Sequence, residues 1–452
     1  MSRPLPVGLR AGLVSPPRWG DDQNAGIIML KWASLVTVLA LALGVAVGAA
    51  IGGSHDAGLI GFMEQVEYIG VLWLNGLKMT IIPLVFALLV TGIASVANAA
   101  ATGRLAARSI FTFAVLLVSA TAYACLILPV TYALWPVDQA AAQGFIAGAG
   151  SKPVGEVTPP TIGEWLAALA PANPIAAAAE TAVLPLTVFA IFFGFAATRL
   201  PAAQREPMVA FFRAVADTMI VIVRWVLIAA PIGVFALSLG VGLRSGADVV
   251  GLLVQYVVIT CITTAGIVVM AYLFAFLWGR VNPAKFIGAT APVLAVAIST
   301  RSSLASLPLM VERARDALDI PVTVGNVTLP LAVAIFRMTS PVANLAVVFF
   351  SASVYGVELG PAQIIAGGFV AIAISIGSVG LPGEISFVAS VAPISLAMGV
   401  PIELLGILVG VEAIPDIFRT LGNVSGDMAA ATIASRSRDV RPVEAAPAAQ
   451  PG

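Results

Sequence analysis

Residues that commonly carry catalysis or bind transition metals are scarce in this 452-residue chain. It has two cysteines, Cys125 and Cys261, and one histidine, His55. The cysteines lie far apart in apolar runs, where packing as small hydrophobic side chains is favoured over a disulfide or a metal site. So few Cys and His residues exclude a zinc site and a His-based triad. No nucleophile–base pair is evident, so the sequence does not predict an enzyme.

Charge is scarce as well. Only 10% of the residues are charged and 60% are hydrophobic, whereas about a quarter of a soluble protein is charged. A single soluble core could not hide this much apolar surface, but lipid can. The net charge is zero, so nothing in the composition suggests nucleic acid as a partner. The composition therefore predicts a polytopic membrane protein.

Apolar stretches long enough to cross about 30 Å of hydrocarbon recur along the chain. Basic residues that follow the second, fourth and sixth stretches, such as Arg104, Arg199 and Arg280, mark cytoplasmic ends. The predicted spans are 30–53, 66–97, 106–136, 162–198, 208–241, 247–279, 321–354 and 401–434.

The two ends of the chain have a different composition. Residues 1–29 carry several arginines and no small-residue cleavage site after a short apolar core, which predicts a cytoplasmic tail and not a signal peptide. Residues 437–452 are polar, with Pro and Ala, and predict a second cytoplasmic tail. We expect a transporter domain over 30–436, in a bacterial-type inner membrane.

Two stretches do not fit simple crossings. Lys285 and Arg313 both mark cytoplasmic ends, yet the roughly 27 residues between them are too few for two crossings. A polar turn at Arg301, Ser302 and Ser303 interrupts this stretch, as expected for a re-entrant hairpin enclosed by protein.

The same shape recurs at 361–398, where a Gly- and Pro-rich turn over 377–383 interrupts the apolar run. The fold predicted from charge and length is all-α, with eight transmembrane helices and two re-entrant hairpins in inverted repeats. Inverted repeats with broken helices are typical of secondary transporters, which hold their substrate near the midplane.

The last span carries polar residues spaced three to four positions apart, so they share one helix face. These residues are Glu412, Asp416, Arg419, Thr420, Asn423 and Asp427. Ionisable groups inside a membrane usually mark a substrate or ion path. An internal Asp416–Arg419 salt bridge is the alternative, but Asn423 and Asp427 extend the face beyond such a pair.

The residue types on this face indicate a substrate. Asp416 can hold an ammonium group, and the planar fork of Arg419 matches a carboxylate. Free N–H groups at the two hairpin tips can hold a second carboxylate. One ammonium and two carboxylates describe aspartate or glutamate. Asp427 is a hard oxygen ligand suited to a small cation, and Ser378 is a further candidate ligand.

With these motifs the sequence resembles the dicarboxylate/amino acid:cation symporter family, the glutamate transporter family. The resemblance covers about 30–436 and is most specific at Thr300-Arg301-Ser302-Ser303, at Gly380-Leu381-Pro382-Gly383 and at Asp416-x-x-Arg419-Thr420-x-x-Asn423-x-x-x-Asp427. It implies that these two tips and Asp416, Arg419, Thr420 and Asn423 contact substrate.

The resemblance also implies a homotrimer and an elevator movement. A transport domain, mainly 106–136 and 246–436, would move against a scaffold, mainly 30–105 and 162–245. Family members that carry dicarboxylates without an amino group lack the acid matched by Asp416, and neutral amino acid exchangers lack the arginine matched by Arg419. This chain keeps both.

One motif departs from the family. Its seventh helix carries Asn-Met-Asp-Gly-Thr, which helps to build the sodium sites, where this chain has Phe336-Arg337-Met338-Thr339-Ser340. In the third span, Phe113, Leu116 and Leu117 replace a tyrosine and hydroxyl residues. We expect the deepest sodium site to be lost. Arg337 is predicted to replace the cation by pairing with Asp427 or Asp416; the alternative is a guanidinium that reaches an interface.

The leading prediction is thus an acidic amino acid symporter with reduced sodium coupling, driven by protons or running as an exchanger, with no cofactor beyond Na⁺ or H⁺ as coupling ion. Glu384 and Glu412 are the candidate proton carriers, although Glu384 fits a solvated tip charge equally well. The alternatives are a C4-dicarboxylate transporter and a non-cycling substrate sensor or anion channel.

Overall fold

The computed structural model describes residues 19–54, 56–149, 163, 166–167, 169–246, 248–377 and 383–436. All regular structure in these residues is helical, which confirms the predicted all-α class. The helices are α1 (Trp19–Ser54), α2 (Ala57–Ala101), α3 (Arg104–Leu134), α4 (Gln139–Gly148), α5 (Pro174–Ala179), α6 (Val183–Thr198), α7 (Ala202–Ile228), α8 (Ala230–Ser245), α9 (Asp248–Leu277), α10 (Pro283–Thr300), α11 (Ser303–Leu318), α12 (Val322–Ile335), α13 (Ser340–Tyr355), α14 (Pro361–Gly377), α15 (Gly383–Ala397), α16 (Leu405–Leu408) and α17 (Ala413–Ser435).

Several of these helices are long and apolar enough to cross a bilayer. Among the described residues six stretches qualify, or seven when α7 and α8, which meet at a bend of 59°, count as one broken span. The 23 residues of α17 are also sufficient in length, about 34 Å, although its ionisable residues lower its hydropathy. A multi-pass membrane protein is the architecture that this arrangement supports.

The first predicted hairpin is formed by α10 and α11. The chain reverses at Arg301, whose φ of 51° is left-handed, and at Ser302, whose side chain accepts a hydrogen bond from Ala305 N at 3.2 Å. At the open end, Lys285 Nζ lies 2.5 Å from Asp319 Oδ2. Both outer ends of the hairpin therefore lie on the same side of the molecule, as expected for a re-entrant segment.

The outer ends of the second predicted hairpin, α14 and α15, are also held together. Gln363 accepts a hydrogen bond from Gly360 N at 2.8 Å and donates one to Met398 O at 3.3 Å, which ties the start of α14 to the end of α15. Gly367 allows this approach, since a Cβ there would lie 2.2 Å from the Met398 sulfur. The predicted tip residues Ser378, Gly380, Leu381 and Pro382 lie outside the described residues.

The two hairpins open towards opposite ends of α17. The ends of α10 and α11 line a pocket together with Ser435 and Arg436 at the C-terminal end of α17. The end of α15 instead leads into the N-terminal end of α17, through tight turns with i→i+3 hydrogen bonds over 402–411. This geometry agrees with the inverted repeats predicted from the sequence.

The hairpin topology predicts which sites a membrane-impermeant maleimide reaches. In a background with Cys125 and Cys261 replaced by alanine, Ala284→Cys and Arg315→Cys should react from one side of the membrane, because they lie at the two outer ends of the same hairpin. Glu358→Cys, in the exposed turn before α14, should react only from the other side. Labelling of right-side-out and inside-out vesicles measures this. Reaction of Ala284→Cys and Arg315→Cys from opposite sides would show that the segment crosses the membrane.

Candidate functional site

The polar face of α17 points into the molecule. Glu412 and Asp427 are 2% and 1% exposed, and Thr420 and Asn423 are also buried, whereas Asp416 and Arg419 are partly accessible. Helices α9, α12 and α13 and the first hairpin pack around this face. The six polar residues predicted from their spacing thus share one enclosed face.

Arg419 is held by a network that spans three helices. Its Nε donates to Glu412 Oε1 at 2.7 Å, and its Nη1 donates to Asn344 Oδ1 at 2.7 Å. The other oxygen of Glu412 accepts a hydrogen bond from the Tyr256 hydroxyl at 2.7 Å. Asn344 in turn donates to the Ser340 hydroxyl at 3.2 Å. The guanidinium is therefore fixed in position by side chains from α9, α13 and the start of α17.

Two polar groups next to this network have no hydrogen-bond partner among the described residues. Arg419 Nη2 is buried and makes no hydrogen bond with a described residue. The Asp416 carboxylate, one turn earlier, likewise accepts none from the described residues, although Arg419, Arg301 and Arg337 attract it electrostatically. The Asp416–Arg419 salt bridge weighed as an alternative is not formed, because Glu412, two turns away on the same face, takes the guanidinium.

A break between α12 and α13 is joined to α17. The backbone is extended at Phe336 (φ −118°, ψ 124°), and three residues on, Thr339 N donates to Asn423 Oδ1 at 3.0 Å. The Thr339 hydroxyl lies 2.8 Å from the same oxygen and 2.9 Å from Arg419 O. Gly422 permits this contact, since a Cβ there would lie 2.2 Å from the Thr339 methyl group.

The region of the expected sodium site is filled by apolar side chains. The rings of Phe113 and Phe336 stack with centroids 4.8 Å apart and an interplanar angle of 9°. Beside Gly426, a Cβ would lie 3.0 Å from the Met338 sulfur and 3.4 Å from the Phe336 ring. Neither oxygen of Asp427 has a hydrogen-bond partner among the described residues. Apolar side chains are therefore the described neighbours of the turn of α17 that carries Asp427.

Arg337 only partly matches its prediction. It lies in the break after α12, where Asp416 and Asp427 both attract it electrostatically. The predicted salt bridge is not formed, however: neither carboxylate pairs with the guanidinium in the described part of the chain. The physical reason is that Phe336 and Met338 pack against the turn of α17 that carries Asp427.

The remaining predicted residues lie around the hairpin tips. Ser302 and Ser303 are partly exposed at the first tip, and the charge of Arg301 attracts Asp416. Thr420 is bound to its own helix through its hydroxyl, which donates to Asp416 O at 3.0 Å. Gly383 and Glu384 begin α15, and the side chain of Glu384 is outside what the structure describes.

Sequence reasoning missed Tyr256 and Asn344. Tyr256 is fully buried in α9, and Asn344 is 1% exposed in α13. Both lie in largely apolar helices and outside the periodic polar face of α17, so the pattern that predicted the site does not point to them. The signal that was available is the cost of burying an unpaired polar group in a membrane segment, which requires that each has a partner.

Comparisons with known proteins identify the family of this chain. The model of the sodium:dicarboxylate symporter family matches residues 34–437. The chain is 29% identical to the proton/glutamate-aspartate symporter of Escherichia coli, over 90% of this chain and 92% of that protein. It is 26% identical to the proton/sodium-glutamate symport protein of Bacillus caldotenax, over 90% and 94% of the two chains.

A neutral amino acid transporter is similar as well. The rabbit protein, neutral amino acid transporter B(0), is 29% identical over 90% of this chain and 80% of that protein. The match of the family model covers nearly all of the helical region described above, including both hairpins and α17. This chain therefore belongs to the sodium:dicarboxylate symporter family, whose members are transporters and not enzymes.

Proposed function

We propose that this membrane protein, a symporter of amino acids by its family, takes acidic amino acids, aspartate or glutamate. One observation carries the proposal. On one enclosed face of α17, Asp416 offers a carboxylate and, one turn later, Arg419 offers an Nη2 group, and neither has a hydrogen-bond partner among the described residues. The first suits a substrate ammonium and the second suits a substrate carboxylate.

Arg419 favours an acidic over a neutral substrate. Two of its nitrogen atoms are already bound, to Glu412 and Asn344, so that Nη2 is held in one position before substrate arrives. A binding group that is fixed in advance loses less conformational entropy on binding. A neutral side chain would leave this buried N–H without an acceptor, which costs about 1–3 kcal/mol.

Coupling to sodium is proposed to be weaker than the family name implies. Phe336, Met338 and the Phe113 ring fill the space beside Asp427, and Arg337 adds a fixed positive charge. A tethered charge cannot dissociate, so it cannot carry the energy of a sodium gradient. Protons, carried by Glu412 or Glu384, or exchange of one substrate for another would then supply the driving force.

We further propose an elevator movement in a homotrimer of the inner membrane, with cytoplasmic termini. The predicted scaffold and transport domain meet at an ion pair between Lys78 Nζ on α2 and Glu403 Oε1 before α16, at 2.8 Å. Each side chain is partly buried. Sliding of one domain past the other would break this ion pair, and both charges would then need water or new partners. The pair would therefore stabilise the position of the transport domain in which it forms.

A C4-dicarboxylate substrate is the second candidate. Arg419 and the hairpin tips could bind two carboxylates without using Asp416. The position of Asp416 disfavours this reading, because its carboxylate would repel such a substrate unless an ammonium group lay between them.

Replacement of Arg419 tests the carboxylate contact. In Arg419→Gln we expect aspartate affinity to fall by about 30- to several-thousand-fold, the range for removing one partner of a buried charge pair. Binding of radiolabelled aspartate to the purified protein measures this. The double variant Glu412→Gln/Arg419→Gln controls for folding, because it removes both charges of the ion pair. Unchanged aspartate affinity in the double variant would contradict the assignment.

Replacement of Asp416 separates the two substrate classes. Asp416→Asn keeps the side-chain shape but removes the charge that would hold an ammonium group. Aspartate affinity should fall while succinate, which has no amino group, should bind equally well or better. Competition of each compound with labelled aspartate measures this. If wild-type protein prefers succinate to aspartate, the chain is a C4-dicarboxylate transporter.

Replacement of sodium by choline tests the coupling. Because apolar side chains pack beside Asp427 in the described structure, we expect aspartate affinity to change by less than about tenfold, or 1.4 kcal/mol. Binding at constant ionic strength and pH is the measurement. A collapse of binding without sodium would show that cation sites persist elsewhere in the protein.

A further inference from the structure

A cavity of about 280 Å³ lies at the end of the molecule where the first hairpin opens. Its walls come from the α9–α10 junction, the α11–α12 junction and the C-terminal end of α17. Three cationic side chains, Arg280, Lys285 and Arg436, line it with a single carboxylate, Asp319. The pocket therefore has a net positive charge of two.

The cations are arranged so that most of their charge is not compensated. Arg436 donates from Nε to Gly279 O at 2.8 Å and from Nη2 to Arg280 O at 3.3 Å, so neutral carbonyls fix its guanidinium. Arg280 forms no salt bridge with a described residue. Only Lys285 is paired, with Asp319, and both side chains of that pair are exposed to solvent.

Two helix N-termini add to the positive potential. Helix α10 starts after Asn282, and α12 starts after Pro321, and both residues line the pocket. At α10 Pro283 has no N–H group, and Asn282 Oδ1 accepts hydrogen bonds from Ala284 N and Lys285 N. The N-terminus of α12 has no side-chain capping hydrogen bond, which leaves its first N–H groups available. Free N–H groups and the helix dipole both favour an anion at such a position.

The surroundings of the pocket indicate a lipid more than a soluble anion. The last turns of α9 and the residue after it, shortly before Arg280, expose the large apolar side chains of Leu273, Phe276, Leu277 and Trp278. An exposed tryptophan next to basic residues is typical of a membrane–water interface. The basic residues also assign this end of the molecule to the cytoplasmic side, whose leaflet carries anionic lipids.

We propose that this pocket binds the phosphate of an anionic phospholipid headgroup in the cytoplasmic leaflet. The guanidinium groups of Arg280 and Arg436 match phosphate oxygens, and Lys285 can exchange Asp319 for the phosphate. The acyl chains would lie along the exposed apolar end of α9. Such a lipid would join both outer ends of the first hairpin to α17, and this proposal does not depend on which substrate is transported.

The test is a titration of the purified full-length protein, in neutral detergent, with short-chain phosphatidylglycerol, phosphatidylcholine or inorganic phosphate. Native mass spectrometry counts bound lipid, and the thermal unfolding midpoint reports stabilisation. We expect saturable binding of phosphatidylglycerol that raises the midpoint, and little effect of phosphatidylcholine. In Arg280→Gln/Lys285→Gln, affinity for phosphatidylglycerol should fall by about 30-fold, the loss expected for removing two basic residues.

The matched control is Arg199→Gln/Arg205→Gln, which removes the same charge from another basic loop predicted on the same side. It should retain the wild-type affinity for phosphatidylglycerol. If the double variant is unstable, the single variant Arg280→Gln replaces it as the pocket variant. Arg280 is exposed and forms no salt bridge with a described residue, so this change should leave the fold intact. Equal losses in the pocket and control variants, or unchanged binding in both pocket variants, would overturn the proposal. Inorganic phosphate binding as tightly as phosphatidylglycerol would assign the pocket to a soluble phosphate instead.

Discussion

The buried ion pair between Arg419 and Glu412 fixes the guanidinium on which the proposed substrate recognition depends. A charge buried inside a membrane protein is costly unless it is paired and hydrogen-bonded. Glu412 meets this condition for Arg419, and Tyr256 and Asn344 complete the network. Loss of one partner from such a pair typically costs about 3–5 kcal/mol. The network therefore links the stability of the helix packing to the geometry of the binding group.

The break between α12 and α13 supports the same site from the other side. Thr339 and Asn423 join the broken backbone to α17, next to Arg419. In the family motif this break carries cation ligands, whereas here Phe336 and Met338 pack into the space. On the proposed function, the chain keeps the groups that bind an amino acid and places apolar side chains and Arg337 where the family motif has cation ligands. The proposal thus treats substrate recognition and sodium coupling as separable.

Much of the fold could be predicted, because hydrocarbon thickness and loop charge constrain it strongly. The spacing between Lys285 and Arg313 was sufficient to predict the first hairpin, and helical periodicity placed six polar residues on one face. The pairing of side chains could be predicted less well from the sequence. Glu412 and Asp416 both share the face of Arg419, and only packing against α9 and α13 decides which acid takes the guanidinium. The pairing of Arg337 could not be predicted for the same reason. Its neighbour Phe336 stacks on Phe113, and this contact joins residues far apart in sequence.

The central claim is that Arg419 and Asp416 bind opposite ends of one acidic amino acid. A structure of the protein with aspartate bound, determined in sodium-free buffer, tests it most directly. The account predicts a substrate carboxylate about 3 Å from Arg419 Nη2 and the substrate ammonium at a similar distance from Asp416. Glu412 and Asn344 should remain bound to the guanidinium. Aspartate bound elsewhere, or bound here without contact to Arg419, would contradict the account.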